Sequence, residues 1–351
     1  MTYRKILFNF LLAAFLLCPA TSAGAHHESS EDEKFNPGTF ILDHIGDAYQ
    51  WHILTYNGHH VSIPLPVILF SEQSGFHAFM SSGFHHGSHE GFSIAGDGTH
   101  KGKIVENSTG ERPLLDLSIT KNVLAIFVSM AIILWVFLSV AKAYQRREKE
   151  APRGLQSWVE PVILFVRDDV ARPAIGHKYE RFMPYLLTLF FFILVNNLMG
   201  LIPFFPFGAN VTGNIAITMV LALITFFITI FSANKNYWTH IVNTPGVPWW
   251  LKFPLPLMPF IELVGMFTKP VVLMIRLFAN ISAGHIIVIG FFSLIFIFGE
   301  INAGMGYGAS IISILFTVFM SFLELLVAFI QAYVFTLLSA LYFGMAVEEH
   351  H

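Results

Sequence analysis

The sequence has 351 residues, 54% of them hydrophobic and only 12% charged, with a net charge of −3 and a mean hydropathy of +0.62. A soluble domain of this length carries about 25% charged residues, so the composition excludes an ordinary soluble fold and sets much of the surface against lipid. The slightly negative balance, with no basic patch, excludes nucleic acid as a partner.

Residues 1–25 have the organisation of a secretory signal peptide. Arg4 and Lys5 form a charged start, Ile6 to Leu17 an apolar core, and Ala23-Gly24-Ala25 an A-x-A cleavage site. The single cysteine, Cys18, lies inside this leader, so the cleaved chain has no thiol and no disulfide. A lipoprotein reading of Cys18 conflicts with Leu17, which stands where a small residue should precede a lipidated cysteine. An uncleaved anchor would have only about a dozen apolar residues, against the ~20 that a span requires.

Residues 26–113 are polar, Gly-rich and His-rich; eleven of the sixteen histidines precede residue 101. No run here can cross a membrane, and short alternating stretches such as residues 61–70 favour strands. The expectation is an exported, periplasmic extension, β-rich or partly disordered. His59-His60, His85-His86 and His89 could ligate Zn²⁺ or Cu²⁺. No spacing among them is diagnostic, and a solvated His-rich surface is the competing reading.

The remainder is read as an all-α membrane domain over residues 114–351. Asn122 to Ala141 is a charge-free run of twenty residues, enough for about 30 Å of hydrocarbon. Lys142, Arg146, Arg147, Lys149 and Arg153 follow and assign that end to the cytoplasm. Residues 154–181 mix apolar and charged residues and suit an interfacial helix. Phe182 to Asn234 contains no charged residue in 53 positions, which is room for two spans turned by Pro203, Pro206, Gly208 and Asn210. Asn196, Asn197, Asn210 and Asn214 need partners there, and facing helices are the expected source. Two long apolar segments follow, Leu257 to Gly299 and Ser310 to Val347, with Gly304, Gly306 and Gly308 expected to break the chain between them. Each exceeds one perpendicular span, so each must tilt, bend or project. The result is about five membrane helices ending in a long tilted C-terminal hairpin, with the C-terminus cytoplasmic.

Between Phe253 and Val347 the only charged residues are Glu262, Lys269, Arg276, Glu300 and Glu324. Glu300 lies near the connecting turn and reaches water. A charge at a helix centre costs about 2.5–3.5 kcal/mol on insertion scales and marks a protein interior or a wet cavity. Glu262, Lys269 and Arg276 are seven apart and form one stripe, extended by Asn280 and Gly284. Glu324 and Gln331 are also seven apart, with Thr317 one step before them. If the hairpin is antiparallel with Gln331 level with Arg276, Glu324 falls level with residue 283. That arrangement sets a carboxylate and the His285 imidazole roughly 10–14 Å to one side of Arg276, with Glu262 about 21 Å to the other. His285 is half a turn from Arg276, so it meets Glu324 only where helix or packing is irregular. Two readings of Arg276 stay open: a residue that controls ion movement, or a structural cation paired with Glu324. Lys269, just before Pro270, has the reading of a snorkelling interfacial lysine.

The segment T-K-P-V-V-L-M-I-R-L-F-A-N-I-S-A-G-H (residues 268–285) resembles the hallmark stretch of subunit a of F-type ATP synthases. F-L-E-L-L-V-A-F-I-Q-A-Y-V-F-T-L-L-S-A-L-Y (322–342) resembles that family's last helix, and N-N-L-M-G-L-I-P and the acidic C-terminus fit too. The likeness covers about residues 115–350. It implies a proton-translocating stator beside a ring of c subunits, held by b-type peripheral stalk subunits in the bacterial inner membrane. It implies no cofactor and no bond chemistry in this chain, since ATP is made elsewhere in the complex. Arg276 is then the stator arginine, Asn280 and Gln331 its neighbours at the ring. His285 and Glu324 belong to the outer half-channel and Glu262 to the cytoplasmic one. Many members carry an acid where this chain has His285 and a histidine where it has Glu324, an exchange that keeps a His–carboxylate pair. A secondary transporter would predict repeats that are not seen. A haem-bearing oxidase subunit would require several intramembrane histidines, whereas beyond residue 177 only His285 lies within a span.

Overall fold

The computed structural model describes residue 38 and residues 45–56, 59–96, 98–146, 151–202, 207–242 and 257–348. The expected leader lies outside them, as do the side chains of His59, His60, His85 and His86.

The described residues of the N-terminal extension form eight short strands: β1 (Gln50–Tyr56), β2 (His59–Pro64), β3 (Pro66–Ser71), β4 (Gly75–Met80), β5 (Ser88–His89), β6 (Phe92–Ile94), β7 (Ile104–Glu106) and β8 (Leu115–Asp116). They form three small antiparallel sheets, β1-β2, β4-β3-β8 and β5-β6-β7. Alternation in β3 sends Val67 and Leu69 inward, where they meet Tyr49, Phe92 and Ile104 in a small closed core. The Tyr49 hydroxyl donates to Asp116 Oδ2 at 2.5 Å. Burial first, and that carboxylate second, hold the phenol above its ordinary pKa. The expectation of a β-rich cap holds for these residues.

Among the described residues eight α-helices follow: α1 (Lys121–Arg146), α2 (Leu155–Phe165), α3 (Arg172–Ile175), α4 (Tyr179–Gly200), α5 (Ile215–Ser232), α6 (Lys235–Val242), α7 (Leu257–Ile301) and α8 (Ala303–Val347). A π-helical turn, Val166–Ala171, joins α2 to α3. Among the described residues five helical stretches are long and apolar enough to cross a membrane, counting α2 through α4 as one. The protein is therefore a multi-pass membrane protein. The interfacial segment expected over residues 154–181 is the first part of that bent rod, turned by Gly176 at φ +75° before α4 begins.

The extension is joined to the membrane part by hydrogen bonds and packing. The first helical N–H groups of a helix have no partner within it; here Lys121 N donates to Ala48 O at 2.9 Å and Asn122 N to Asp47 Oδ1 at 3.1 Å. A carboxylate at that end also complements the helix dipole. Trp51 is buried against Ala125 of α1 and against Ala209 and Val211 of the α4–α5 connection.

The main core lies where the last third of α8 passes between α4, α3 and α7. Phe190, Phe335, Phe343, Leu273 and Leu277 fill it, and Phe182 stacks on Phe343 at 4.8 Å. Small buried residues of α8 (Ala332, Ser339, Ala340, Gly344) allow that close approach. At Gly344 the Ala174 carbonyl occupies the place of a Cβ. Asn234 closes the end of α8, donating from its backbone to Ala346 O and from Nδ2 to Val347 O.

One expectation fails at the hairpin tip. Gly304, Gly306 and Gly308 do not break the chain; they lie inside α8. The break is Asn302 alone, whose side chain accepts from Gly304 N at 2.9 Å as a helix cap. Gly306 instead lets the helices touch, since a methyl there would meet Gly299 Cα at 2.9 Å. Each hairpin arm has 45 residues, about 68 Å at 1.5 Å per residue, so the pair must tilt or project beyond a bilayer.

Candidate functional site

The hairpin register decides which polar groups meet. Gly284 of α7 faces Glu324 of α8, Phe291 stacks on Phe316 at 5.1 Å, and Gly299 faces Gly306. Continued in the other direction, this antiparallel register carries Gln331 to the level of Arg276, the alignment assumed from sequence.

Glu324 and His285 meet: Nδ1 lies 3.5 Å from Oε1, with both side chains mostly buried. The half-turn offset of His285 is overcome by the residue before it. Gly284 sits on the face of α7 that α8 covers, and a methyl there would stand 2.5 Å from Glu324 Oε1. With no side chain in the way, the carboxylate lies over the α7 backbone and reaches a residue on the far flank. On its other side His285 Nε2 lies near Gly200, the last residue of α4. At 3.5 Å the two groups are in contact but longer than a tight hydrogen bond. Arg276 does not pair with Glu324, and it forms no ion pair with any described residue. The structural-cation reading loses its partner.

Around this pair lies a cavity of about 340 Å³, lined by Asn280, Gly284 and His285 of α7, by Glu324 and Gln331 of α8, and by Asn197 of α4. Asn197 is 3% exposed. It donates to Ala328 O at 3.1 Å and accepts from the Thr212 hydroxyl at 2.5 Å, joining α4, α8 and the α4–α5 connection in one wall. The other asparagines singled out from sequence bond only locally: Asn196 Nδ2 donates to Phe192 O, Asn210 Oδ1 accepts from Gly213 N, and Asn214 Oδ1 accepts from Ala216 N, while the buried Asn196 Oδ1 and Asn210 Nδ2 have no partner among the described residues. Among the described residues, Asn197 is the one of the four whose side chain reaches another helix.

A second cavity, of about 320 Å³, opens toward the other end of α7. It is lined by Glu262 and Lys269 of α7, by Tyr237 and His240 of α6, and by Met345 and Glu348 at the end of α8. Lys269 Nζ lies 5.7 Å from the centre of the Tyr342 ring and 4.0 Å from Met345 Sδ, so it faces this cavity rather than lipid. Burial first, and the charge of Glu262 second, raise the Tyr237 phenol above its ordinary pKa. Tyr237, His240 and Glu348 could not be assigned from sequence, because a Pro-rich stretch separates α6 from α7 and no spacing connects them.

Arg276 lines neither cavity. It stands between Lys269, on one, and Asn280, on the other, residues about 16 Å apart along the helix. It is partly exposed, at the border between buried Leu273 and Leu277 and a strip of exposed Val272, Ala279 and Ala283. Among the described residues no group of three or more His, Cys, Asp or Glu side chains is gathered as for a metal. His89 packs on Phe79 at 4.8 Å.

The family model of the ATP synthase A chain matches residues 123–344. A second, for a domain of unknown function, matches residues 40–123. Similar curated proteins include an ATP synthase subunit a of Chloroherpeton thalassium, 43% identical over 244 residues, which are 67% of this chain and 69% of that one. ATP synthase subunit a 2 of Chlorobaculum tepidum is 48% identical over 241 residues, 67% of this chain and 64% of its own length. Subunit a of Anaeromyxobacter dehalogenans is 39% identical over 248 residues, 67% and 60% of the two chains. The matched region thus spans about two thirds of these relatives.

Proposed function

Because the chain belongs to the ATP synthase A chain family, we propose that it is the proton-translocating stator of an F-type ATP synthase, with the two cavities serving as its aqueous half-channels. The observation that carries this reading is the pair of cavities, each lined by titratable side chains, on either side of an arginine that opens into neither. A proton arrives from the outer side through the cavity that holds His285 and Glu324. It neutralises a carboxylate on a c subunit, which can then enter lipid, where its charged form is too costly. After nearly a full turn of the ring, a carboxylate reaching Arg276 loses its proton toward the Glu262 cavity and the cytoplasm.

Arg276 suits this role because a guanidinium stays charged at any physiological pH. It favours the ionised carboxylate, and between two water-filled dead ends it opposes a proton passing straight through. The exposed Ala279 and Ala283 beside it form the small-residue surface on which another apolar helix packs closely. Asn280, exposed beside it, borders the same contact, while Gln331, level with Arg276, is buried in the wall of the outer cavity. The c ring and b-type stalk subunits are its partners, in a bacterial inner membrane with the extension periplasmic and the C-terminus cytoplasmic. The His–carboxylate pair favours H⁺ as the coupling ion. In domain terms, residues 26–113 form the exported extension and 114–351 the channel, after removal of residues 1–25.

Arg276→Ala tests this reading. The complex should assemble with its ring, while ATP synthesis and ATP-driven proton pumping in inverted vesicles are lost. Pumping at the unaltered rate by an assembled mutant would overturn it.

A further inference from the structure

The β4-β3-β8 sheet uses one face for the core of the extension; the other is uncovered and apolar. Its composition follows from register. Phe70 of β3 is paired with Phe76 on one side and Leu115 on the other. One step nearer α1, Ile68 is paired with Ala78, and its carbonyl accepts from Leu117 N. One step further, Pro66 is paired with Met80 and accepts from Ile119 N. Side chains two apart on a strand share a face, so these three rows form a lattice of apolar side chains with no charge and no hydrogen-bonding group. Phe76 is 67% exposed and Leu117 66%. The charged and polar members of the same strands, Asp116, Ser118 and Ser71, turn the other way, into the extension.

An uncovered apolar surface of this kind on a folded domain marks an interaction site, and the chain itself says where it lies. Ile119 is two residues before the first residue of α1, hence within about 7 Å of it at 3.4 Å per residue. Leu117 is within about 14 Å and Leu115 within about 20 Å by the same rise. The charge-free run that begins at Asn122 is long enough to span the hydrocarbon, so Lys121 marks its edge. The headgroup zone adds about 5–8 Å on each side. These spacings are upper limits on height above that edge, so a sheet lying flat on the leaflet brings all three rows to the boundary between headgroups and acyl chains. The rows are continuous through the chain with the lipid-facing side of α1, where Leu134 and Trp135 are exposed.

We propose that this sheet face is a membrane-docking surface, seated in the lipid leaflet on the side of α1's N-terminus, with Phe76, Phe70, Leu115 and Leu117 dipping among the lipids. A lipid surface suits a face that offers area but no polar contacts, because acyl chains require neither direction nor charge. The extension would then be held twice, by its hydrogen bonds to α1 and by the bilayer, and could not tilt away from the α4–α5 connection that Trp51 covers.

The test uses the full chain in its complex, with Cys18→Ser as background and single cysteines introduced by Phe76→Cys, Leu117→Cys, Leu134→Cys as a bilayer control and Glu111→Cys as a water control. Each is coupled to an environment-sensitive fluorophore in phosphatidylcholine vesicles with and without brominated acyl chains. The expected result is a blue-shifted emission at 76 and 117 and a loss of intensity in brominated lipid that resembles position 134, with position 111 unaffected. Unquenched, solvent-like emission at 76 and 117 with ready labelling by a membrane-impermeant maleimide overturns the proposal. Protection from both the maleimide and the brominated lipid overturns it equally, and gives the face to a neighbouring protein subunit.

Discussion

The two cavities on α7 differ in how their acids are held. Glu324 is seated between packed helices, over a glycine backbone and against one imidazole, within a wall that Asn197 ties together. Glu262 faces a cavity whose far side is a short helix and the end of α8, with a lysine, a histidine and a second carboxylate nearby. One is a geometric site with little redundancy. The other is a polar vestibule with several groups able to carry a proton. Substitutions around Glu324 should therefore act sharply, and substitutions around Glu262 by degrees.

Of substitutions in the two cavities, Gly284→Val should have the largest effect. The added atoms occupy the seat of Glu324 Oε1, and displacing a proton-transfer group by about an ångström costs on the order of a hundredfold in rate. ATP-driven acidification of inverted vesicles should fall accordingly while the assembled complex keeps its ATPase head. An active G284V protein would mean that Glu324 need not lie over α7. Glu262→Gln should cost less, lowering the rate of ATP synthesis without abolishing it, since His240, Lys269 and Glu348 still line that cavity. Loss as complete as in Gly284→Val would erase the contrast between the cavities. Asn197→Ala should have the smallest effect, about 1 kcal/mol from stranding the Ala328 carbonyl and the Thr212 hydroxyl. Thermal unfolding in detergent would read it as a modest decrease, and an unchanged midpoint would show that the wall does not depend on that amide.

Much of the site was legible because charge is so scarce in the membrane region. Against so apolar a background, Arg276, Glu324 and Glu262 stand out without any structural knowledge, and a seven-residue spacing places each stripe on one helix face. The hairpin register also followed, from aligning two polar stripes. Legibility ended at residues whose role is to be small or to come from elsewhere. Gly284 reads as a continuation of a stripe, Gly306 as a turn former, and Asn197 as one of four similar amides. Nothing in a linear pattern distinguishes a glycine that ends a helix from one that admits a carboxylate. His240 and Glu348 lie far from Glu262 along the chain, and only packing brings them to it.

Composition and hydropathy alone were enough for the membrane class, the five spans, the long hairpin and the arginine within it, because burying a charge or an unpaired backbone in lipid costs so much that few arrangements remain. Only the tertiary structure decided that His285 meets Glu324, that Arg276 stands between two cavities and opens into neither, and that the extension caps α1 while leaving an apolar sheet face bare. Those outcomes depend on contacts between distant segments, where a missing side chain or one strand pairing shifts a group by a few ångströms, and local sequence carries no measure of that.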